Sequence, residues 1–192
     1  MYPNENCKAE PKQCAMYNDA HSSAWRSTIN KIHQNGSKIV FQKCNPGILL
    51  NYFLNSSKQA KKAGADGVDL HGAHCYLFSS FLSPFYNQRE DEYGRPIEGR
   101  CRFILETAET IRKSRVTDFS ILIKMNGSDL LPSNGLTPEL ASKYVILLKK
   151  KIDLFEISCG CNEIATVRSD TSKRKSLISL TAWISKKATR CH

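Results

Sequence analysis

The stretch AGADGVDLHGAHCYLFSSFLSPFYNQREDEY, residues 63–93, decides how the rest of the chain is read. A Gly-rich lead-in, Ala63 to Gly67, feeds a short apolar run, Val68 to Leu70, that stops at His71, His74 and Tyr76. A buried strand ending in clustered imidazoles and a phenol fits the C-terminal rim of an α/β fold. There a rigid sheet carries the residues and a loop exposes them to a ligand. The segment that follows is rich in rings and charge (Ser83-Pro84, Asn87, Arg89, Asp91, Glu92, Tyr93) and is expected to be a structured loop.

Outward from this stretch, helical and strand patterns alternate. A helix is expected from His21-Ser22-Ser23, capped by serine, to Asn35-Gly36, with Trp25, Ile29, Ile32 and His33 on one face. Lys38 to Gln42 reads as a strand and Asn45-Pro46-Gly47 as a loop. Leu50 to Ala63 reads as a helix ending at Gly64, and Val68 to His71 as the second strand. A helix from Pro96-Ile97-Glu98 to Lys113 carries the apolar stripe Phe103, Ile104, Ala108 and Ile111. Phe119 to Met125 is a third strand containing Lys124, and Thr137-Pro138 caps and opens a helix running to Lys151. Ile152 to Ser158 is the fourth strand, closed by Cys159-Gly160. Four strands alternating with helices predict βαβ units and a parallel sheet. The expected fold class is therefore α/β, and four strands make half of a (β/α) barrel.

Length and composition agree. The chain has 192 residues, below the roughly 250 of a complete (β/α)₈ barrel. Residues 1–20 are expected to be an irregular arm, 21–164 the partial barrel domain, and 165–192 a basic tail with an amphipathic helical segment, Ser176 to Lys187. No apolar run approaches the ~18 residues that span a bilayer, and the N-terminus lacks the order of a signal peptide. The expectation is a cytoplasmic protein without a membrane partner. Eight cysteines are irregularly spaced with no CxxC pair, so no metal is expected and the thiols are expected to be reduced. The tail from Ala165 holds seven Lys/Arg against Asp170 alone, most of the net charge of +10. It reads as a solvated face, since no nucleic-acid-binding motif accompanies it.

On the residues alone, His71, His74 and Tyr76 leave several readings open. Two imidazoles could bind a metal, polarise a carbonyl, or simply hydrogen-bond within a loop, and Tyr76 could donate a proton. Arg89, Asp91, Glu92, Tyr93, Arg100 and Arg102 read as a braced, paired loop.

HGAHCYLFSSFLSPFYNQREDEYG, followed by EGRCRF, resembles the signature of the old yellow enzyme family, the FMN-dependent NAD(P)H:flavin oxidoreductases. Weaker similarity runs from about Trp25 to about Gly160. The resemblance implies a TIM barrel, here truncated or internally deleted. It implies FMN as cofactor, NAD(P)H as reductant and an activated alkene, such as an α,β-unsaturated carbonyl, as the small-molecule electrophile reduced. Under it, His71 and His74 bind the substrate oxygen, Tyr76 delivers the proton, and Gln42 and Lys124 contact the flavin ring. Departures are also evident. Asn45-Pro46-Gly47-Ile48 stands where the family has an HPGR-like turn, and Cys75 stands where a glycine is usual. If that position requires φ > 0, cysteine is strained there. Nothing after Gly160 resembles the strands that hold the FMN phosphate. The alternative is thus a non-catalytic remnant lacking a complete FMN site. Open sheet edges would offer such a chain a route to self-association.

Overall fold

The computed structural model describes residues 14–43, 50–114, 118–161 and 183–185. Its elements run α1 (Asp19–Gln34), β1 (Val40–Lys43), α2 (Leu50–Ala63), β2 (Gly67–Gly72), α3 (Leu77–Leu82), α4 (Ile97–Lys113), β3 (Ser120–Ser128), α5 (Pro138–Leu148), β4 (Leu154–Cys159) and β5 (Trp183–Ser185). The sheet order is β1-β2-β3-β4-β5. The first four strands are parallel and flanked by helices, and the sheet is not closed. This is the α/β, partial (β/α) barrel arrangement that the alternation of patterns predicts. β5 departs from it, pairing antiparallel with β4 through Leu154↔Ser185, Phe155↔Ile184 and Glu156↔Trp183. β5 thereby covers β4 at Leu154, Phe155 and Glu156.

The chain divides into two compact units, residues 1–71 with 106–122, and 72–105 with 123–192. In the first, α1 starts one turn earlier than its serines suggest. Asn18, in extended backbone, caps it by accepting from the His21 N–H at 3.0 Å. Asn, like Ser, places an acceptor over the otherwise unpaired amides of the first turn. α1 is held to α2 by Ser22 Oγ donating to the Gln59 carbonyl at 3.0 Å and by the Lys62–Asp19 pair at 2.8 Å. Ile29, Phe53, Val68, Leu70, Ile111 and Ile121 are buried in this unit. Gly64 ends α2 at φ 99°, a left-handed value that glycine adopts without penalty. Gly67 is required by packing: a Cβ there would lie 2.5 Å from the Ser120 carbonyl oxygen.

The second unit contains the loop after β2. A helix, α3, lies where the sequence reading places only a structured loop. Leu77, Phe78, Phe81 and Leu82 fall on one helical face. Phe78 and Phe81 both stack on Phe103, at 5.2 and 4.9 Å between ring centroids. Tyr144 of α5 is fully buried and donates its hydroxyl to the Leu82 carbonyl at 2.8 Å. After α3 the expected bracing is present in part: Arg89 pairs with Asp91, and Asn87 Nδ2 donates to the carbonyls of Phe81 and Tyr93. Thr137 caps α5 with Pro138 in its first turn, as its sequence predicts.

The expected helix at Ser176 to Lys187 is contradicted at Trp183–Ser185, which form β5. The residues on either side of β5 in that segment lie outside the described residues. So do the Asn45-Pro46-Gly47 loop and most of the N-terminal arm. No helix of the described residues is long and apolar enough to cross a membrane.

Candidate functional site

In the first unit the site residues are set by the two-residue period of β1 and β2. Parallel register places Gln42 opposite Asp69. The Gln42 amide donates to Asp69 Oδ2 at 2.6 Å. Gln42 is thereby tied to the neighbouring strand. Asp69 and His71, two residues apart in β2, share a face, and both are buried. Lys43 is on the other face of β1. It is fully buried and donates to the Ser56 carbonyl, at 3.0 Å, and to the Ser56 hydroxyl on α2. Burial pushes the Lys43 ammonium down to about 7.

In the second unit, His74 and Cys75 adopt φ of 58° and 65°. The strain that a cysteine in place of glycine implied is thus present, and His74 shares it. His74 Nε2 lies 2.8 Å from Ser158 Oγ. Its backbone N–H reaches Asn126 Oδ1 at 3.4 Å, and His74 forms an isolated parallel bridge with Cys161. Asn126 is buried and donates to Asp129 Oδ1 and to the Gly160 carbonyl, each at 3.0 Å. Lys124 pairs with Glu156 at 3.0 Å, the two side chains about 20% exposed. Burial lowers the His74 pKa first and the Lys124 cation lowers it further, while Glu156 acts in the opposite sense. His74 is therefore a neutral imidazole at neutral pH. Tyr76 occupies the N-cap position of α3 and is half-buried, with its backbone N–H donated to the Ala73 carbonyl at 3.2 Å.

The expectation of reduced thiols throughout is corrected here. Cys75 and Cys161 form a disulfide, with Cα atoms 5.3 Å apart. The two lie 86 residues apart in sequence, and only the folded loop brings them within bonding geometry. Cys14, Cys101 and Cys159 are free. No cluster of His, Cys, Asp or Glu able to hold a metal is present among the described residues.

Of the five residues singled out by sequence, His74 and Lys124 thus share one electrostatic neighbourhood, and Gln42 sits in register with Asp69. His71 ends β2 and Tyr76 begins α3. Sequence reasoning missed Asp69, Asn126, Glu156 and Ser158. Their signal was available: Asp69–His71, Lys124–Asn126 and Glu156–Ser158 are polar pairs at i, i+2 near the ends of otherwise apolar strands.

Comparison with known proteins bears on the family and the fold. The chain is 38% identical over 108 residues to an NADPH dehydrogenase of Clostridium acetobutylicum, covering 56% of this chain and 32% of that protein. The chain thus spans about a third of the length of that curated relative. In fold it is similar to histamine dehydrogenase from Rhizobium sp. 4-9, with a TM-score of 0.76 and 21% identity over 85% of this chain and 30% of the other. It is also similar to Old Yellow Enzyme from Pichia sp. AKU4542, with a TM-score of 0.64 and 19% identity over 78% of this chain and 52% of the other. The model of one flavoprotein family matches residues 48–181, the greater part of the chain. By that match the chain belongs to the NADH:flavin oxidoreductase / NADH oxidase family.

Proposed function

We propose that this chain supplies the substrate-facing part of an FMN-dependent NAD(P)H oxidoreductase that reduces activated alkenes such as α,β-unsaturated carbonyls. The observation that carries the reading is the neutral, half-buried His74 beside Lys124, Glu156 and Ser158 in the loop that follows β2. His71 and His74 donate hydrogen bonds to the carbonyl oxygen. In a water-poor setting, donors fixed in advance stabilise developing enolate charge by several kcal/mol. Tyr76 gives a proton to the α-carbon. The overall change is addition of a hydride and a proton across the C=C bond, with NAD(P)H oxidised to NAD(P)⁺.

The proposed role requires one tautomer of His74. A neutral imidazole has one N–H donor and one acceptor nitrogen. For His74 to donate from Nδ1, Nε2 must accept, so the Ser158 hydroxyl donates to it across the 2.8 Å contact. Ser158, which can donate as well as accept, is compatible with the tautomer suited to a carbonyl substrate.

The residues fit the polar edge of a flavin in donor type. Gln42 carries an amide, and Lys124 has three N–H donors, of which the Glu156 contact uses one. Glu156 also offsets the Lys124 charge, so this cation favours an anionic ring less than an unpaired one would. FMN, when bound, supplies the hydride chemistry. Gln42 and Lys124 would hold its pyrimidine edge. A cytoplasmic location belongs to the same proposal.

The test is direct. The purified full chain is mixed with FMN, and bound flavin is followed by absorbance and fluorescence. NADPH and cyclohexenone are then added. The reading expects bound flavin that NADPH bleaches and cyclohexenone reoxidises. A chain that takes up no flavin from excess FMN returns the choice to a non-catalytic member of the family.

A further inference from the structure

The Cys75–Cys161 disulfide joins two backbones of very different character. Cys161 is buried and follows a fixed turn. The Gly160 N–H donates to the Ser128 carbonyl at 2.9 Å, and the Gly160 carbonyl accepts from Asn126 at 3.0 Å. Cys75 is half-buried and sits beside His74 in a left-handed stretch that residues with a Cβ rarely adopt. Two of the backbone hydrogen bonds of that stretch are local or long. Cys75 N–H reaches only Ser79 Oγ, at 3.3 Å, within the same loop, and the His74 N–H to Asn126 contact is long at 3.4 Å. The covalent bond joins the His74↔Cys161 bridge and the His74–Ser158 contact in fastening this loop to the end of β4.

We propose that Cys75–Cys161 is a reversible thiol–disulfide site that holds the His74 ring against Ser158 while oxidised and releases it when reduced. The reductant is of the dithiol class. One of its thiolates attacks Cys75 Sγ, on the more exposed partner, and Cys161 leaves as a thiolate that takes up a proton. The second thiol of the reductant then displaces Cys75 from the mixed disulfide. Two electrons and two protons pass from the dithiol, which ends as a disulfide, and the chain gains two thiols. In a reducing compartment, disulfides are characteristically transient and redox-sensing rather than permanent. The proposal concerns the loop and does not depend on flavin binding, because its readouts need neither cofactor nor turnover.

The experiment compares the air-oxidised full chain with the same chain after dithiothreitol. Alkylation and mass spectrometry identify which cysteines react, and hydrogen exchange follows the backbone of residues 71–76. In the oxidised chain Cys75 and Cys161 should resist alkylation while Cys159 reacts. After dithiothreitol both should be labelled, and amide exchange over 71–76 should accelerate by about tenfold or more. The Cys75→Gly variant, which suits the backbone conformation, and the Cys161→Ser variant should each lose the dithiothreitol response. Labelling of Cys75 and Cys161 before any reductant is added would overturn the proposal. So would exchange over 71–76 that ignores reduction, or a response that survives in Cys161→Ser.

Discussion

The β1–α2 region and the β3–β4 strand ends each take in one lysine, and the fold treats the two differently. Lys43 turns away from Gln42, is wholly buried, and donates to the oxygens of Ser56. Lys124 keeps about 20% of its side chain exposed and meets a carboxylate, Glu156, at 3.0 Å. Lys43, whose titration burial lowers, thus has no anionic partner among the described residues. Desolvation without compensation shifts a titration at a cost in stability. A paired charge at a strand end keeps its charge and influences its neighbours. Lys43 is accordingly the poorer candidate for chemistry, although perturbed titration often marks functional sites.

The largest expected effect tests that contrast at Lys43. Replacing Lys43 with Met, which keeps length and removes the amine, should stabilise the chain at neutral pH by about 1–4 kcal/mol. The folded-state value near 7 lies below the ordinary 10.5 of a lysine. Between these values the unfolded chain holds a proton that the folded chain does not, so wild-type stability rises with pH across that window. Lys43→Met should lack this rise. Urea denaturation of both chains at several pH values between about 7 and 10 measures the difference. Equal pH dependence in the two would remove the contrast between the regions.

How much of this was legible beforehand depended on whether the signal is local. Leu50 to Ala63 was readable because Gly64 stops it, and the α5 start because Thr137-Pro138 is a cap with a compatible first turn. His71, His74 and Tyr76 could be singled out because they cluster just past an apolar run, whereas Gln42 and Lys124 took their roles from the family resemblance. The α1 cap was misplaced because Asn18, Ser22 and Ser23 are all competent acceptors, and tertiary contacts with Gln59 recruit Ser22 elsewhere. α3 was hidden by rings and serines, whose helical phase is visible only once Phe103 is known to cover it. The Cys75–Cys161 bond and the His74–Ser158 contact join residues more than eighty positions apart, and no periodicity connects such pairs.

The Lys124 side of the comparison is sharpened by Glu156→Gln. That change leaves an ammonium facing an amide in a partly buried place and should cost about 1 kcal/mol. The cost should largely vanish when Lys124→Met is already present, since no charge then remains to be stranded. A double-mutant cycle from urea denaturation gives the coupling. Additive losses would mean that the pair contributes nothing as a pair, and that Lys124 resembles Lys43 after all.

The smallest effect is also the most specific to the candidate site. Lys124 lowers the His74 pKa and Glu156 raises it, each on top of the lowering by burial. Lys124→Met should therefore move the His74 titration up toward 6.5, and Glu156→Gln should move it further down. A buried neutral histidine resists the proton that the unfolded chain accepts, so wild-type stability falls as pH drops below 6.5. The fall should be shallower in Lys124→Met and no shallower in Glu156→Gln. Ring-proton NMR of His74 across pH reads the sign in each variant without any need for cofactor. Lys43→Met serves as the reference, because its amine is taken up by Ser56 and its loss should leave that imidazole's titration in place. Shifts of the same sign in both strand-end variants would show that the ring responds to loosened packing and not to the Lys124–Glu156 charges.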